Sequence, residues 1–261
     1  MSAFPLRRDA RTALVTAMTI YAIGDIHGHL AQLQAAHDRI AADRARMGDA
    51  RAPVIHLGDL VDRGPNAAGV IDWLATRTAR DPRMIVLLGN HDQMMLRWLE
   101  TGPGPDPRDP PNLRYLAPGM GGRETLASYD IDPDGPPGEV HAEARDRIPA
   151  THRAFLAARP AMYRAGDCVF VHAGIRPGIP LDEQAIGDLV WIRQDFLTST
   201  HDHGPLVVHG HTPVSEVEHH GNRLAIDTGA AYGRPLSAVA IEGRDAYVLT
   251  DDGRVPVRWM R

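Results

Sequence analysis

Cysteine is almost missing from this 261-residue chain: Cys168 stands alone, so no disulfide can form within it. That is consistent with a reducing compartment. Cys168 lies in the apolar run DCVFVH and reads as a small buried hydrophobe, not a nucleophile. Lysine is absent, so every one of the 28 basic side chains is an arginine, and the net charge is −5. Such a balance provides no basic surface for nucleic acid and no polybasic membrane anchor. No apolar run approaches the ~20 residues needed to cross a bilayer. Residues 1–17 place basic side chains before a mildly apolar stretch, as a signal peptide does, but cleavage there would truncate the first strand. They read instead as a disordered leader, with Met18 as an alternative start. The expectation is a cytoplasmic protein that engages neither membrane nor nucleic acid.

The composition that remains, 43% apolar and 23% charged, is that of an ordinary globular chain long enough to bury a substantial core. Its first third repeats one pattern. TIYAIGD, PVIHLGD and RMIVLLGN are strand-like runs closed by Gly24-Asp25, Gly58-Asp59 and Gly89-Asn90. Each is followed by a helical stretch: Leu30, Leu33, His37 and Ile40 share one face of the first, and Pro65 suits the first turn of the second. Strand alternating with helix predicts parallel βαβ units, whose ligands sit beyond the carboxyl ends of the strands. Residues 101–150 are rich in Pro and Gly around a short helical GGRETLASY and read as a cap-like insertion in a single domain spanning 1–261. The remainder is richer in strands, namely CVFVHAG, PLVVHGHTP, RLAIDTGA, SAVAIEG, AYVLTDDG and VPVRWM, which suggests a second, mixed sheet.

Six polar residues stand at these strand ends: Asp25, His27, Asp59, Asn90, His172 and His211. Singly, each is an ordinary turn or core residue. Together they share a ligand chemistry and recur at equivalent places. Two carboxylates about 4 Å apart repel by roughly 4 kcal/mol at an effective dielectric of ~20. Gathering Asp25 and Asp59 at one sheet edge therefore calls for positive charge, and Arg63 alone does not match two carboxylates with three imidazoles. Imidazole, carboxylate and amide ligands suit manganese, iron or zinc. Six ligands suit two ions bridged by a carboxylate.

GDIHG, GDLVDRG, GNHD, VHAG and GHTP, in that order from about residue 20 to 230, resemble the motifs of the calcineurin-like metallophosphoesterase superfamily. VDRG is similar to the phosphoprotein phosphatase (PPP) branch, and GHTP to its bacterial and phage serine/threonine phosphatases. The resemblance implies an α/β fold, a four-layer αββα sandwich of two mixed sheets with metals at the carboxyl ends of the strands. It implies that Asp25 and His27 hold one ion, that Asp59 bridges, and that Asn90, His172 and His211 hold the other, with manganese expected first. His209 is then a supporting or core residue. It pairs His91, as general acid, with Asp62, and makes Arg63 and Arg193 the phosphate-binding arginines. The family has glutamate where this chain has Asp92, a departure that touches supporting contacts only.

The activity so implied is hydrolysis of phosphoserine or phosphothreonine in a protein or peptide, by direct attack of a hydroxide shared between the ions. Two alternatives stand beside it. One is a symmetrical dinucleoside tetraphosphate hydrolase or other small-molecule phosphatase, against which VDRG argues. The other, of a different class, is a non-catalytic protein that binds a phosphorylated partner.

Overall fold

The computed structural model describes residues 18–111 and 113–260; the expected leader, residues 1–17, lies outside them. Strand and helix alternate first: β1 (Thr19–Ile23), α1 (Leu30–Met47), β2 (Val54–His56), α2 (Ala67–Thr78), β3 (Met84–Val86) and α3 (Asn90–Thr101). Local chemistry sets the bounds. Helix α1 buries Leu33, Ala36 and Ile40 on one stripe and stops at Gly48, whose φ of 71° only glycine adopts freely. Helix α2 starts where the Asn66 side chain accepts the Gly69 N–H at 2.9 Å. Pro65, expected in its first turn, therefore sits just outside the helix.

The second half contains α4 (Gly122–Ala127), α5 (Pro137–Arg147), α6 (Ala150–Ala157), β4 (Met162–Ala165), β5 (Cys168–Val171), α7 (Ile186–Trp191), α8 (Gln194–Leu197) and β6 (Leu206–His209). It closes with β7 (Glu218–His219), β8 (Arg223–Ala225), β9 (Ala238–Glu242), β10 (Asp245–Thr250) and β11 (Gly253–Pro256). One sheet runs β11-β10-β9-β1-β2-β3 and the other β4-β5-β6-β8-β7. Both are mixed: β1, β2 and β3 are parallel, as are β5, β6 and β8, with antiparallel strands flanking each set.

Side chains alternate across each strand, and the alternation assigns the layers. Ile20 and Ala22 of β1 point to the other sheet, where they join Ile55, Phe170, Val208 and Leu224 in an apolar interior. Tyr21 and Ile23 point the opposite way, into a cluster with Leu33, Ile40, Ile71, Leu74 and Met94 of α1, α2 and α3. On the far side of the second sheet, Val169, Val171 and Val207 pack against Leu189, Val190 and Phe196 of α7 and α8. The result is the expected four layers, helix, sheet, sheet, helix. Cys168 is a free thiol in the interior between the sheets, and burial pushes it up to about 12.

The Pro- and Gly-rich stretch joins the helical layer. Tyr115, Leu126, Val140 and Ala144 are buried in the same cluster as Trp98 and Leu99 of α3. No described helix is long and apolar enough to cross a membrane.

Candidate metal centre

All six parallel strands end in a polar group at one edge. Asp25 follows β1, Asp59 follows β2, Asn90 follows β3, His172 follows β5, His211 follows β6, and Asp227 follows β8. Each is buried. The chain turns sharply to place them. Among described non-glycine residues, positive φ occurs at His27, Asp59, Asp62, Arg63, His211 and Asp130, and only the last lies away from this edge. Left-handed backbone at such residues costs about 1–3 kcal/mol each and persists only where the surroundings enforce it.

Two groups share Asp59: His27, Asp59 and His91, and Asp59, His172 and His211, with ligand atoms within 4.8 Å of one another in each. His27 Nδ1 is 2.9 Å from the Val61 carbonyl and His172 Nδ1 is 2.9 Å from that of Leu57. Donating those protons leaves each Nε2 with a lone pair turned inward. His27 Nε2 and His172 Nε2 lie 3.3 and 3.5 Å from Asp59 Oδ2. His172 Nε2 also faces Asn90 Oδ1 at 2.8 Å and His211 Nδ1 at 3.2 Å. Asp25 accepts the His211 N–H at 3.0 Å with one oxygen, while its other oxygen and His211 Nε2 are buried without a partner.

Electrostatics point the same way. Burial, then Asp227 and Asp59, raise Asp25 well above the usual carboxylate range. Asp59 moves well below it: burial opposes its charge, but His172, His91 and His27 outweigh burial. Burial lowers His172, and lowers His211 to about 2 with help from His172 and Arg193. His27 moves the other way: burial opposes its charge, but the Asp59 carboxylate outweighs burial and raises it. Imidazoles, two of them held neutral by burial, an amide oxygen and carboxylates thus converge on one point. Divalent cations satisfy such a set, and its residues fit two of them around Asp59. His91 falls within the first group by distance, but its ring is committed elsewhere.

His91 Nδ1 lies 2.6 Å from Asp62 Oδ2, and its Nε2 accepts from Arg63 Nη2 at 3.0 Å. Arg63 Nη1 reaches His27 Nε2 at 3.1 Å. Asp62 Oδ1 accepts from the Tyr115 phenol at 2.8 Å and the Thr125 hydroxyl at 2.7 Å. The arrangement is a buried Asp–His pair whose second imidazole nitrogen faces the Arg63 guanidinium beside the candidate ions. Such a site can neutralise a phosphoryl group and deliver a proton to its leaving oxygen.

The chain's residues 18–240 match the family model for calcineurin-like phosphoesterases. The chain belongs to that family. Among curated relatives, a symmetrical bis(5'-nucleosyl)-tetraphosphatase of Methylococcus capsulatus is 30% identical over 160 residues, 61% of this chain and 44% of its own length. Over that relative, then, the chain spans less than half the length. The asymmetrical bis(5'-nucleosyl)-tetraphosphatase PrpE of Bacillus subtilis is 25% identical across 82% of this chain and 87% of its own. A solved structure of a cold-active protein tyrosine phosphatase shares the fold, with a TM-score of 0.63 and 17% identity over 93% of this chain and 79% of that one.

The phosphoesterase motifs thus bring together nine of the ten residues read from the sequence. Arg193 stands at the rim, in the segment DLVWIRQDF, where the chain breaks between α7 and α8. Its guanidinium contacts the His211 carbonyl at 3.3 Å and the Thr212 hydroxyl at 3.1 Å. His209 is buried against Phe196, and burial lowers it to about 3, as suits a core residue. Asp92 accepts the Leu60 N–H at 2.8 Å and the Gly89 N–H at 2.9 Å, so the shorter acid still braces two motif loops. Sequence reasoning missed Asp227, although AIDTG repeats the strand-end signal. It also missed Tyr115 and Thr125, which carry no local signal.

Proposed function

We propose that this phosphoesterase hydrolyses dinucleoside tetraphosphates with two divalent ions, manganese foremost and iron or zinc as the other candidates. Asp25, His27 and Asp59 would hold one ion, and Asp59, Asn90, His172 and His211 the other. When bound, such ions activate a shared water and neutralise phosphoryl charge. Arg63 and Arg193 grip phosphoryl oxygens, and His91 as the imidazolium gives its Nε2 proton to the departing oxygen, while Asp62 accepts from Nδ1, stabilises the charged ring and keeps the Nδ1–H tautomer that is left.

The observation that carries the substrate is that the curated relatives, aligned over as much as 82% of this chain, are dinucleoside tetraphosphatases of both the symmetrical and asymmetrical kinds. Arg63 contacts His27 and Arg193 contacts His211, so guanidinium groups flank the two ion positions, where either substrate class would present a phosphoryl group. A second reading rests on the His91–Asp62 pair. A buried acid serves the alkoxide of phosphoserine or phosphothreonine more than it serves a nucleotide leaving group, so phosphorylated proteins or peptides remain the competing substrates.

The test is hydrolysis of diadenosine tetraphosphate, a phosphopeptide panel and p-nitrophenyl phosphate by the manganese-loaded protein. A kcat/KM higher for the dinucleotide by orders of magnitude is expected, and the products, two ADP or AMP with ATP, assign the cleavage. Preference for phosphopeptides would replace this reading with the second. Hydrolysis of none would leave a protein that only binds phosphorylated partners.

A further inference from the structure

Arg63 has a neighbour that phosphoryl transfer does not require. Its edge faces His27 and His91, and its guanidinium carbon lies 5.4 Å from the centre of the Tyr232 ring. Tyr232 is 62% exposed, the highest value among the exposed large hydrophobic side chains described. Leaving an aromatic ring in water forgoes the stabilisation its burial would bring, so folding alone does not account for it.

The ring is nevertheless firmly mounted. Its turn is bounded by Gly229 and Gly233, with φ of 82° and 78°. Asp227 accepts the Gly229 N–H at 2.8 Å, and the Thr228 hydroxyl donates to the Pro235 carbonyl at 2.7 Å. The Tyr232 and Gly233 N–H groups bond back to the Gly229 and Ala230 carbonyls at 2.9 and 3.0 Å, and Ala230 is buried beneath. The same carboxylate, Asp227, that anchors this turn also acts on Asp25 in the metal centre. An exposed, pre-oriented ring thus stands one guanidinium away from the position of the reacting phosphate.

We propose that Tyr232 is the stacking platform for a nucleobase, the ring of a nucleoside phosphate whose phosphate Arg63 holds. The assignment rests on the nucleotide reading above and deepens it. A nucleoside 5'-phosphate carries its base one sugar away from the phosphate, and every base offers a flat face to an aromatic ring. Base stacking of this kind changes affinity by roughly tenfold or more and tolerates different bases.

Calorimetric titration of the manganese-loaded protein with AMP and with ribose 5-phosphate isolates the base and needs no turnover. AMP is expected to bind roughly tenfold or more tightly than ribose 5-phosphate to the wild type and to Tyr232→Phe. In Tyr232→Ala that preference should collapse while ribose 5-phosphate binds as before. A preference missing from the wild type or surviving in Tyr232→Ala would overturn the proposal. So would equal weakening of both ligands, which would mean that the ring only props Arg63. A ring-dependent preference for AMP in a protein that leaves diadenosine tetraphosphate intact would uphold the platform and remove the tetraphosphate as substrate.

Discussion

The Tyr115 phenol donates a 2.8 Å hydrogen bond to Asp62, tying the Pro- and Gly-rich stretch to the carboxylate that orients His91. Burial and the Asp62 charge raise the phenol's pKa far above its ordinary value, so it remains a donor at any working pH. Thr125 adds a second bond to the same oxygen and accepts the Asp62 N–H at 2.8 Å. Residues 101–150 therefore reach the site from behind, through Asp62. Tyr115→Phe should lower kcat about tenfold on phenyl phosphate, the scale of one hydrogen bond to a charged group, with KM little changed. p-Nitrophenyl phosphate, whose leaving group needs less protonation, should be affected less. An unchanged kcat on both would show that Asp62 keeps its place without the phenol.

His91 is expected to act on the leaving group and not on the metals. His91→Asn should retain the metal content of the wild type and lose roughly 10²–10⁴-fold in turnover on poor leaving groups. Metal analysis beside kinetics separates the two roles. Loss of metal together with turnover would make His91 a structural ligand, consistent with its distance from Asp59 in the first group.

Asp59 is common to both ligand groups. Replacing it with asparagine keeps the shape but removes the charge that His27 and His172 share. Metal content should fall from about two ions per chain to about one or fewer. Chelation of the wild type should lower Tm, because ions that bind only the folded chain stabilise it, and added manganese should restore it. A variant that still retains two ions would remove Asp59 from the bridging position.

The third strand reaches the site only because Gly89 has no side chain. A Cβ there would fall on the Asp59 carboxylate and on the Asp59 backbone at once. Its φ of −95° is open to any residue, so the constraint is space and not conformation. Gly89→Ala should destabilise by about 1–3 kcal/mol, as overpacking does, and weaken metal binding along with it. Denaturant unfolding beside metal analysis tests this; near-wild-type stability would mean that the loop has room to shift.

Strand-end chemistry was legible because it is local: each ligand sits in the turn that closes an apolar run, so period and punctuation locate it without knowledge of the fold. Asp227 carries that signal but lies apart from the motif spacing. Tyr115 and Thr125 reach Asp62 across 53 and 63 residues, and nothing in their own neighbourhoods marks them. Arg193 was found by its segment but not by its backbone, since the helix break at Ile192 depends on packing of α7 and α8 against the second sheet. Short edge strands were lost for the opposite reason. The two residues of β7 owe their state to pairing with β8, not to a pattern of their own.

Away from the metals, His37 and His56 meet through their Nε2 atoms at 2.9 Å, and His56 Nδ1 lies 2.9 Å from the Ile85 carbonyl. With His56 donating from Nδ1, its Nε2 must accept and His37 must donate, so both rings are neutral in single tautomers. Burial lowers His56 to about 4. Burial first, then His56, Arg77 and Arg44, lower His37 to about 2, with Trp73 packed on the His37 ring at 4.7 Å. In the unfolded chain both titrate near ~6.5. Between that value and about 4 the unfolded chain binds protons that the native chain refuses, so stability rises with pH. The contribution is complete above ~6.5 and drains away as the pH falls toward the folded values, at up to ~1.4 kcal/mol per pH unit for each histidine. Urea unfolding of the wild type and of His37→Gln/His56→Gln between pH 7 and pH 5 should give a shallower dependence in the variant. The ligand histidines are common to both proteins, so the difference in slope belongs to this pair, and equal slopes would show that one ring is already protonated in the fold.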